Sequence, residues 1–278
     1  MLAGFLRSTV GMDHPIAFHL ILRLMDRRVF VSTDLERRRL AATTCRFVRE
    51  FGVVLYNAPD THLHVVCACP RVRAGELAHR LALALRAALA IDVPFDRARI
   101  LPVASQGHAK NLPGYVLGNG LRHGVQGDPL VEASNLPDLL GYRAIDPWSK
   151  HGLRRMLPRL RGAELLRLMV GDDLVAGTDV RHLSEAAAFV VAAAQPFPRS
   201  RRSLAARLAA IHVGRGLGVT TSRLAEQFQV SRRGIQRNLL QAPDPRLARA
   251  IQWLIGLRER LGLAADTRPV GRAPGNHL

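Results

Sequence analysis

The spacing of apolar and polar residues predicts that strands and helices alternate in the first half of the chain. The strand-like runs are residues 16–24, 53–56, 61–69 and, more weakly, 99–104. Segments of helical periodicity lie between them at 33–50, with Ser32 or Thr33 as the N-cap, and at 76–90. The order β-α-β-β-α-β, followed by a short helix near Tyr115, predicts an α+β domain over residues 1–145. We expect an antiparallel sheet with helices on one face.

The second half of the chain has helical patterns only. Residues 146–195 are predicted to form a helical connector, and the segment QPFPRSRR at 195–202 is predicted to be an interdomain linker because of its two prolines. Helices are predicted up to about Gly262, so 196–262 is interpreted as a second domain. The Gly/Pro-rich residues 263–278 are predicted to be a flexible tail.

Residues 221–240 have the pattern of a helix-turn-helix. The apolar positions spaced like its core are Leu224, Ala225, Phe228, Val230 and Ile235. Ser231 is a good N-cap for the second helix, and Gln229 stands where this turn often has glycine. The second helix is predicted to expose side chains suited to bases and phosphates, namely Arg232, Arg233, Gln236 and Arg237. The alternative is a helical hairpin with a solvated basic face.

The composition favours a polyanionic partner. Lys+Arg is 40 against Asp+Glu 22, a formal charge of +18, and from residue 196 onward 15 arginines face four acidic residues. Nucleic acid is the first candidate, although a GC-rich genome would produce the same arginine bias. Three cysteines exclude a disulfide framework and show no zinc spacing. In the absence of an apolar run long enough for a membrane span or a secretory signal, we expect a cytoplasmic protein without a membrane partner.

Two histidines, His62 and His64, flank Leu63 in a predicted strand. Because side chains alternate between faces of a strand, both imidazoles are expected on one face, about 7 Å apart at their Cα atoms. Such a pair can share a divalent metal, although an HxH also arises by chance in a chain with 11 histidines. Cys67 and Cys69 fall on the opposite face and are interpreted as core residues.

Tyr115 and Asn119 are four residues apart in YVLGN. On a helix, this spacing places the phenol and the amide on one face, where both can address the same point. The alternative is a half-buried tyrosine beside an asparagine at a helix end.

Taken together, these motifs resemble REP-associated tyrosine transposases, a single-tyrosine branch of the HUH endonucleases. The resemblance covers about residues 12–143 and rests on MDHPIAFHLILRLMDRRVFVSTDLERRRL, REFGVVLYNAPDTHLHVV and YVLGNGLRHGV. The family's nucleophile helix reads Tyr-x-x-x-Asn-x-x-Arg-x-Gly, which Tyr115, Asn119, Arg122 and Gly124 match. Thr61 stands where the family usually has asparagine, and Gly120 where it usually has proline. The resemblance implies a ferredoxin-like sheet.

The resemblance also implies a mechanism. His62, His64 and Asn119 would hold Mg²⁺ or Mn²⁺, which polarises a scissile phosphate in single-stranded DNA. Tyr115 would attack that phosphate, giving a 5′-phosphotyrosine link and a free 3′-hydroxyl. Such transposases act on hairpin-forming DNA ends, some as dimers, and Arg122 would contact the DNA. The appended helix-turn-helix would bind double-stranded DNA.

Two other hypotheses remain open from the sequence. The first is a catalytically degenerate, domesticated DNA-binding or regulatory protein that keeps the transposase fold. The second is a helix-turn-helix regulator whose N-terminal domain senses a ligand. Only the transposase hypothesis predicts that the protein cleaves DNA. It also predicts that Tyr115→Phe abolishes this cleavage and leaves DNA binding intact.

Overall fold

A computed structural model describes residues 15–59, 61–118, 130–167, 178–193 and 200–262. Within these residues the protein is α+β, with one four-stranded antiparallel sheet. This confirms the predicted fold class and sheet type. The predicted domain boundaries stay predictions, and the tail at 263–278 lies outside the described residues.

The sheet has the strand order β2-β3-β1-β4. The strands are β1 (Ala17–Arg23), β2 (Val53–Asn57), β3 (His62–Cys67) and β4 (Arg99–Val103). All three strand pairs are antiparallel, and β1 and β3 occupy the centre. All six residues of β3 are buried, which fits a central strand covered on both sides.

Two helices, α1 (Asp34–Phe51) and α2 (Arg71–Leu89), cover one face of the sheet. Thr33 caps α1 as predicted: its hydroxyl accepts a hydrogen bond from the amide of Glu36, whose carboxylate accepts one from the amide of Thr33. Helix α2 begins five residues before the predicted Glu76. Gly75 does not end the helix, because Ala74 and Leu77 on either side of it are buried in the core and packing outweighs its weak helix propensity.

The opposite face of the sheet is also covered, which differs from the predicted one-sided arrangement. Helices α3 (Gln106–Leu117) and α5 (Trp148–Met156) contribute to a separate apolar cluster there. The cluster joins Val54 and Val66 of the sheet to Val116 of α3 and Leu153 of α5. Since residues 146–195 show no pattern that ties them to the sheet, their contribution to this layer could not be read from the sequence.

The outer edge of β2 is closed by a chain segment that includes α4 (Leu136–Leu140). The side chain of Asn135 accepts a hydrogen bond from the amide of Tyr56 at 3.0 Å and donates one to the carbonyl of Val54 at 3.0 Å. A buried ion pair between Arg143 and Asp138, at 2.7 Å, holds the same segment. These contacts satisfy backbone groups that an edge strand otherwise leaves open.

The next helix, α6 (Gly162–Arg167), packs Leu165 into the cluster on the sheet. The helices that build a second core are α7 (Leu183–Val190), α8 (Arg201–Gly216), α9 (Thr221–Gln227), α10 (Arg232–Leu239) and α11 (Pro245–Arg260), with a 3₁₀ turn at Val180–His182 before α7. Helix α7 shares this core with α8 to α11. Arg201 and Arg202, predicted to lie in a linker, instead form the first turn of α8, which Ser200 caps. Among the described residues, no helix is long and apolar enough to cross a membrane.

Candidate active site

The two histidines of the HxH motif lie on one face of β3, as the alternation of the strand predicts. Their ring centroids are 4.5 Å apart, with the ring planes at 77°. Both side chains are buried, with His62 6% and His64 1% exposed. Cys67 packs into the core on the opposite face, and Cys69 packs against that core, which confirms their predicted structural role.

A third imidazole, which the sequence did not indicate, comes from the neighbouring central strand. His19 of β1 lies in the register diagonally beside His64, because β1 pairs Ile21 with His64 and His19 with Val66. Its Nε2 atom is 2.9 Å from Nδ1 of His64, and the rings stack with centroids 5.0 Å apart. Burial, reinforced by His108 and His62, lowers the pKa of His19 from 6.5 to about 4. His19 is therefore neutral at pH 7, and one of its ring nitrogens accepts a hydrogen bond.

The structure brings Tyr115 to the same place. Helix α3 packs on the histidine face of the sheet, and the Tyr115 ring lies 5.6 Å from that of His64 and 5.8 Å from that of His19, both edge-on. Tyr115 is 38% exposed, whereas the other two tyrosines, Tyr56 and Tyr142, are fully buried. A substrate can thus reach one phenol, and this phenol lies beside the histidines.

A buried asparagine fixes the end of α3 to the sheet. Asn57, the last residue of β2, donates its side-chain amide to the carbonyl of Val116 at 2.8 Å. The last carbonyls of a helix have no partner within the helix, so this bond satisfies one of them. It also holds the residue next to Tyr115, and in this way sets the position of the phenol relative to β3.

The donor set fits a divalent metal at the two histidines of β3. Nδ1 of His64 faces His19, and Nδ1 of His62 is 3.3 Å from the hydroxyl of Thr61. Both contacts engage Nδ1, and metal-bound histidines usually have such a partner on the ring nitrogen that does not bind the metal. Thr61 thus makes a polar contact with His62. Within the described ranges, no three His, Cys, Asp or Glu side chains form a metal-binding group.

Two predicted site residues, Asn119 and Arg122, lie outside the described residues. The roles predicted for them, as metal ligand and DNA contact, stay predictions. Helix α3 ends at Leu117, two residues before Asn119.

Helix α10 carries the predicted DNA-contacting side chains on its surface. Arg232, Arg233, Gln236 and Arg237 are all exposed. Ile235 on the inner side is fully buried, and the Ser231 hydroxyl accepts a hydrogen bond from the amide of Gly234 at 3.0 Å, as the predicted N-cap requires. Gln229 adopts a left-handed conformation with φ of 50° in the turn between α9 and α10. The position often held by glycine thus has the backbone that glycine favours.

Comparison with known proteins gives no relative. No family model matches the chain, and neither the curated proteins nor the solved structures contain a match.

Proposed function

We propose that this protein is a metal-dependent single-stranded DNA endonuclease and strand transferase of the single-tyrosine HUH type, related to transposases. The observation that carries the proposal is that Tyr115, the accessible tyrosine, lies beside His62 and His64. These residues are about 50 positions apart in the sequence, and the HxH and the tyrosine helix were singled out from separate motifs. A chance HxH and an unrelated tyrosine would have no reason to meet on one face of the sheet.

The fold supports the same proposal. The element order β-α-β-β-α-β and the strand order β2-β3-β1-β4 support the ferredoxin-like sheet that we propose. The histidines occupy a central strand of this sheet, and the tyrosine helix follows β4 and packs across the histidine face. This agrees with the order that the resemblance to HUH enzymes implies, with the histidine pair before the tyrosine helix.

The proposed reaction is an in-line phosphoryl transfer. The Tyr115 phenol loses its proton to solvent, and its oxygen forms a bond with the scissile phosphorus as the bond from phosphorus to the 3′ oxygen breaks. The 3′ oxygen leaves as a hydroxyl after taking up a proton, and the 5′ phosphate stays on Tyr115. Attack by a 3′-hydroxyl on this link reverses the reaction and rejoins strands without a nucleotide cofactor, as DNA transposition requires.

In this proposal His62 and His64 hold Mg²⁺ or Mn²⁺ through Nε2, with Asn119 as the predicted third ligand. When bound, the metal supplies a positive charge that polarises the phosphate and stabilises charge in the transition state. His19 and Thr61 act through their contacts with Nδ1 of the two histidines, which set tautomer and ring orientation. Asn57 acts through α3, by holding Tyr115 close to the histidines.

Helices α9 and α10 are proposed to be a helix-turn-helix that binds double-stranded DNA through α10. Its buried side, Leu224, Phe228 and Ile235, packs into the second core. The outer side presents three arginines and a glutamine, the side chains that read guanine and adenine in the major groove. A protein that holds duplex DNA by one unit and cleaves a single strand by another suits ends that fold into hairpins.

The proposal is tested with labelled single-stranded hairpins and Mn²⁺ or Mg²⁺, resolved on denaturing gels that keep a covalent protein–DNA adduct. We expect an adduct that EDTA abolishes and that is absent in His62→Ala and Tyr115→Phe. DNA binding without any adduct would contradict the enzyme and favour the domesticated DNA-binding protein. If the protein formed no adduct and bound no DNA, the result would contradict both the enzyme and the domesticated DNA-binding protein.

A further inference from the structure

A cleft of about 650 Å³ separates the sheet-bearing half from the helical half of the described chain. It is lined by the start of α5, the first turn of α8 and the first half of α11. Six cationic side chains line it, and we define the basic cleft by the five other than buried Arg143: Lys150, Arg201, Arg202, Arg246 and Arg249. We propose that the basic cleft binds the phosphodiester backbone of DNA, at a place that neither the tyrosine site nor α10 covers. This inference rests on the proposed function.

The cations of the basic cleft have no carboxylate partners in the described part of the chain. None of the ion pairs there involves any of the five, although arginines elsewhere on the surface, such as Arg80 and Arg73, pair with Glu50 and Glu76. All four arginines of the cleft are exposed. Burial, together with nearby Arg154, lowers the pKa of Lys150. The cleft is thus a surface of positive charge that the protein does not neutralise with ion pairs.

The acidic groups that face the basic cleft offset this charge only in part, and each has a local partner. Asp138 is paired with buried Arg143. Asp146 accepts hydrogen bonds from the amides at the start of α5, Trp148 and Ser149. Asp244 accepts one from the amide of Arg246 as the N-cap of α11. With Arg143 included, six cations face three carboxylates, and the cleft keeps a net positive charge.

The position of these arginines opposes the electrostatics of their own helices. Arg201 and Arg202 open α8 and Arg246 lies in the first turn of α11, and neither first turn contains an acidic residue. The first turn of a helix is where its dipole disfavours cations. Three cations at such positions weaken their helices slightly, whereas a phosphate between them would be stabilised by both the side chains and the helix ends. An anionic ligand held in the cleft would offset this small loss of helix stability.

The size of the cleft and the spread of its charge favour a polymer over a small anion. The cations come from three separate helices, α5, α8 and α11, so the charge is spread over several elements that line the cleft. Helix α5 also lines a neighbouring cleft of about 770 Å³ with Arg154 and Arg155, so positive charge continues along this helix.

The test compares two double variants that remove equal charge. Arg246→Gln/Arg249→Gln alters the basic cleft, and glutamine is a good helix former that keeps α11 intact. Arg71→Gln/Arg97→Gln is the matched control, because both are exposed arginines lining a separate cleft of about 460 Å³ between α2 and the segment before β4. Both variants carry Tyr115→Phe, so that binding is measured without covalent adduct.

Binding is measured by fluorescence anisotropy with a labelled duplex of arbitrary sequence and with its single strand, between about 50 and 200 mM salt. We expect the cleft variant to bind about tenfold to thirtyfold more weakly near 0.15 M salt and to lose about two units of slope in log K against log salt, because each phosphate contact contributes about 0.9. The probe that loses affinity, duplex or single-stranded DNA, is the form of DNA that occupies the cleft. The control is expected to match the parent protein.

If the cleft variant and its parent had the same affinity and the same slope of log K against log salt on both probes, the proposed role of the basic cleft would be overturned. DNA binding through α10 would not be affected by this result. An equal loss in both double variants would also overturn it, because the effect would then be one of net charge. If the parent protein bound neither probe, the cleft and the DNA-binding part of the proposed function would both be overturned.

Discussion

The Nε2 atom of His19 lies 2.9 Å from Nδ1 of His64, and this contact joins the two central strands beneath the accessible tyrosine. For His64 to bind a metal through Nε2, its Nδ1 must carry the proton and donate it to His19. His19 can accept this hydrogen bond because burial keeps its imidazole neutral. In the proposed site, the pairing of these two strands thereby sets the tautomer of one proposed metal ligand, His64.

We expect His19→Phe to weaken metal binding by about tenfold to a hundredfold, since removing the partner of a ligating histidine leaves its tautomer and orientation unset. The measurement is Mn²⁺ affinity by electron paramagnetic resonance titration, which does not depend on DNA cleavage. His79→Phe, at an exposed histidine on α2, is the control. An unchanged Mn²⁺ affinity in a folded His19→Phe protein would show that the contact does not serve the ligand.

Asn57→Ala is predicted to slow adduct formation while Mn²⁺ affinity is retained. The substitution leaves the Val116 carbonyl without its donor, a loss worth about 1–3 kcal/mol of stability, and it releases the end of α3 that positions Tyr115. Single-turnover adduct formation gives the rate, and circular dichroism verifies the fold. If Mn²⁺ affinity fell by as large a factor as the rate of adduct formation, the substitution would have disrupted the site as a whole.

Helix α10 is predicted to bind duplex DNA through its exposed arginines. Arg232→Ala/Arg237→Ala should weaken duplex binding by more than tenfold, with little effect on adduct formation on a hairpin at saturating concentration, because a base or phosphate contact is worth about 1–3 kcal/mol. Arg223→Ala on α9 is a control for charge, since this arginine pairs with Glu226. If Arg223→Ala weakens duplex binding as much as Arg232→Ala/Arg237→Ala does, α10 is not the recognition helix.

The turn between α9 and α10 offers a test of stability. Gln229→Gly should raise the free energy of unfolding by about 0.5–1 kcal/mol, because the left-handed conformation is costly for glutamine and open to glycine. Gln236→Gly, in the regular part of α10, should lower it by about 1 kcal/mol. Urea unfolding of the two variants separates these expectations by sign, and a loss of stability in Gln229→Gly would contradict the predicted turn geometry.

The parts of the site that follow from local periodicity could be predicted from the sequence. Alternation along β3 places His62 and His64 together, and the cap of α1 by Thr33 follows from its residue types. The contribution of His19 could not be predicted, because it depends on the pairing register of β1 with β3, 45 residues away. No local pattern specifies that register.

Long-range packing also determines the features of the fold that the sequence pattern does not predict. The layer formed by α3 and α5 depends on apolar contacts with Val54 and Val66, and a strand apolar on both faces does not tell which helix will cover it. The prolines before Arg201 and Arg202 predict a linker, but Ser200 caps a helix that begins there. The fit of Asn57 to the end of α3 likewise requires both elements in place.

The most direct test of the account is to identify the residue that becomes joined to DNA. The wild-type protein is incubated with a hairpin substrate and Mn²⁺, the bound DNA is trimmed by nuclease, and the peptides are sequenced by mass spectrometry. We predict a nucleotide attached through a 5′ phosphate to Tyr115, absent in Tyr115→Phe and in wild-type protein treated with EDTA. An adduct at Tyr56, Tyr142 or another residue, or no adduct from a protein that binds the hairpin, would contradict the account.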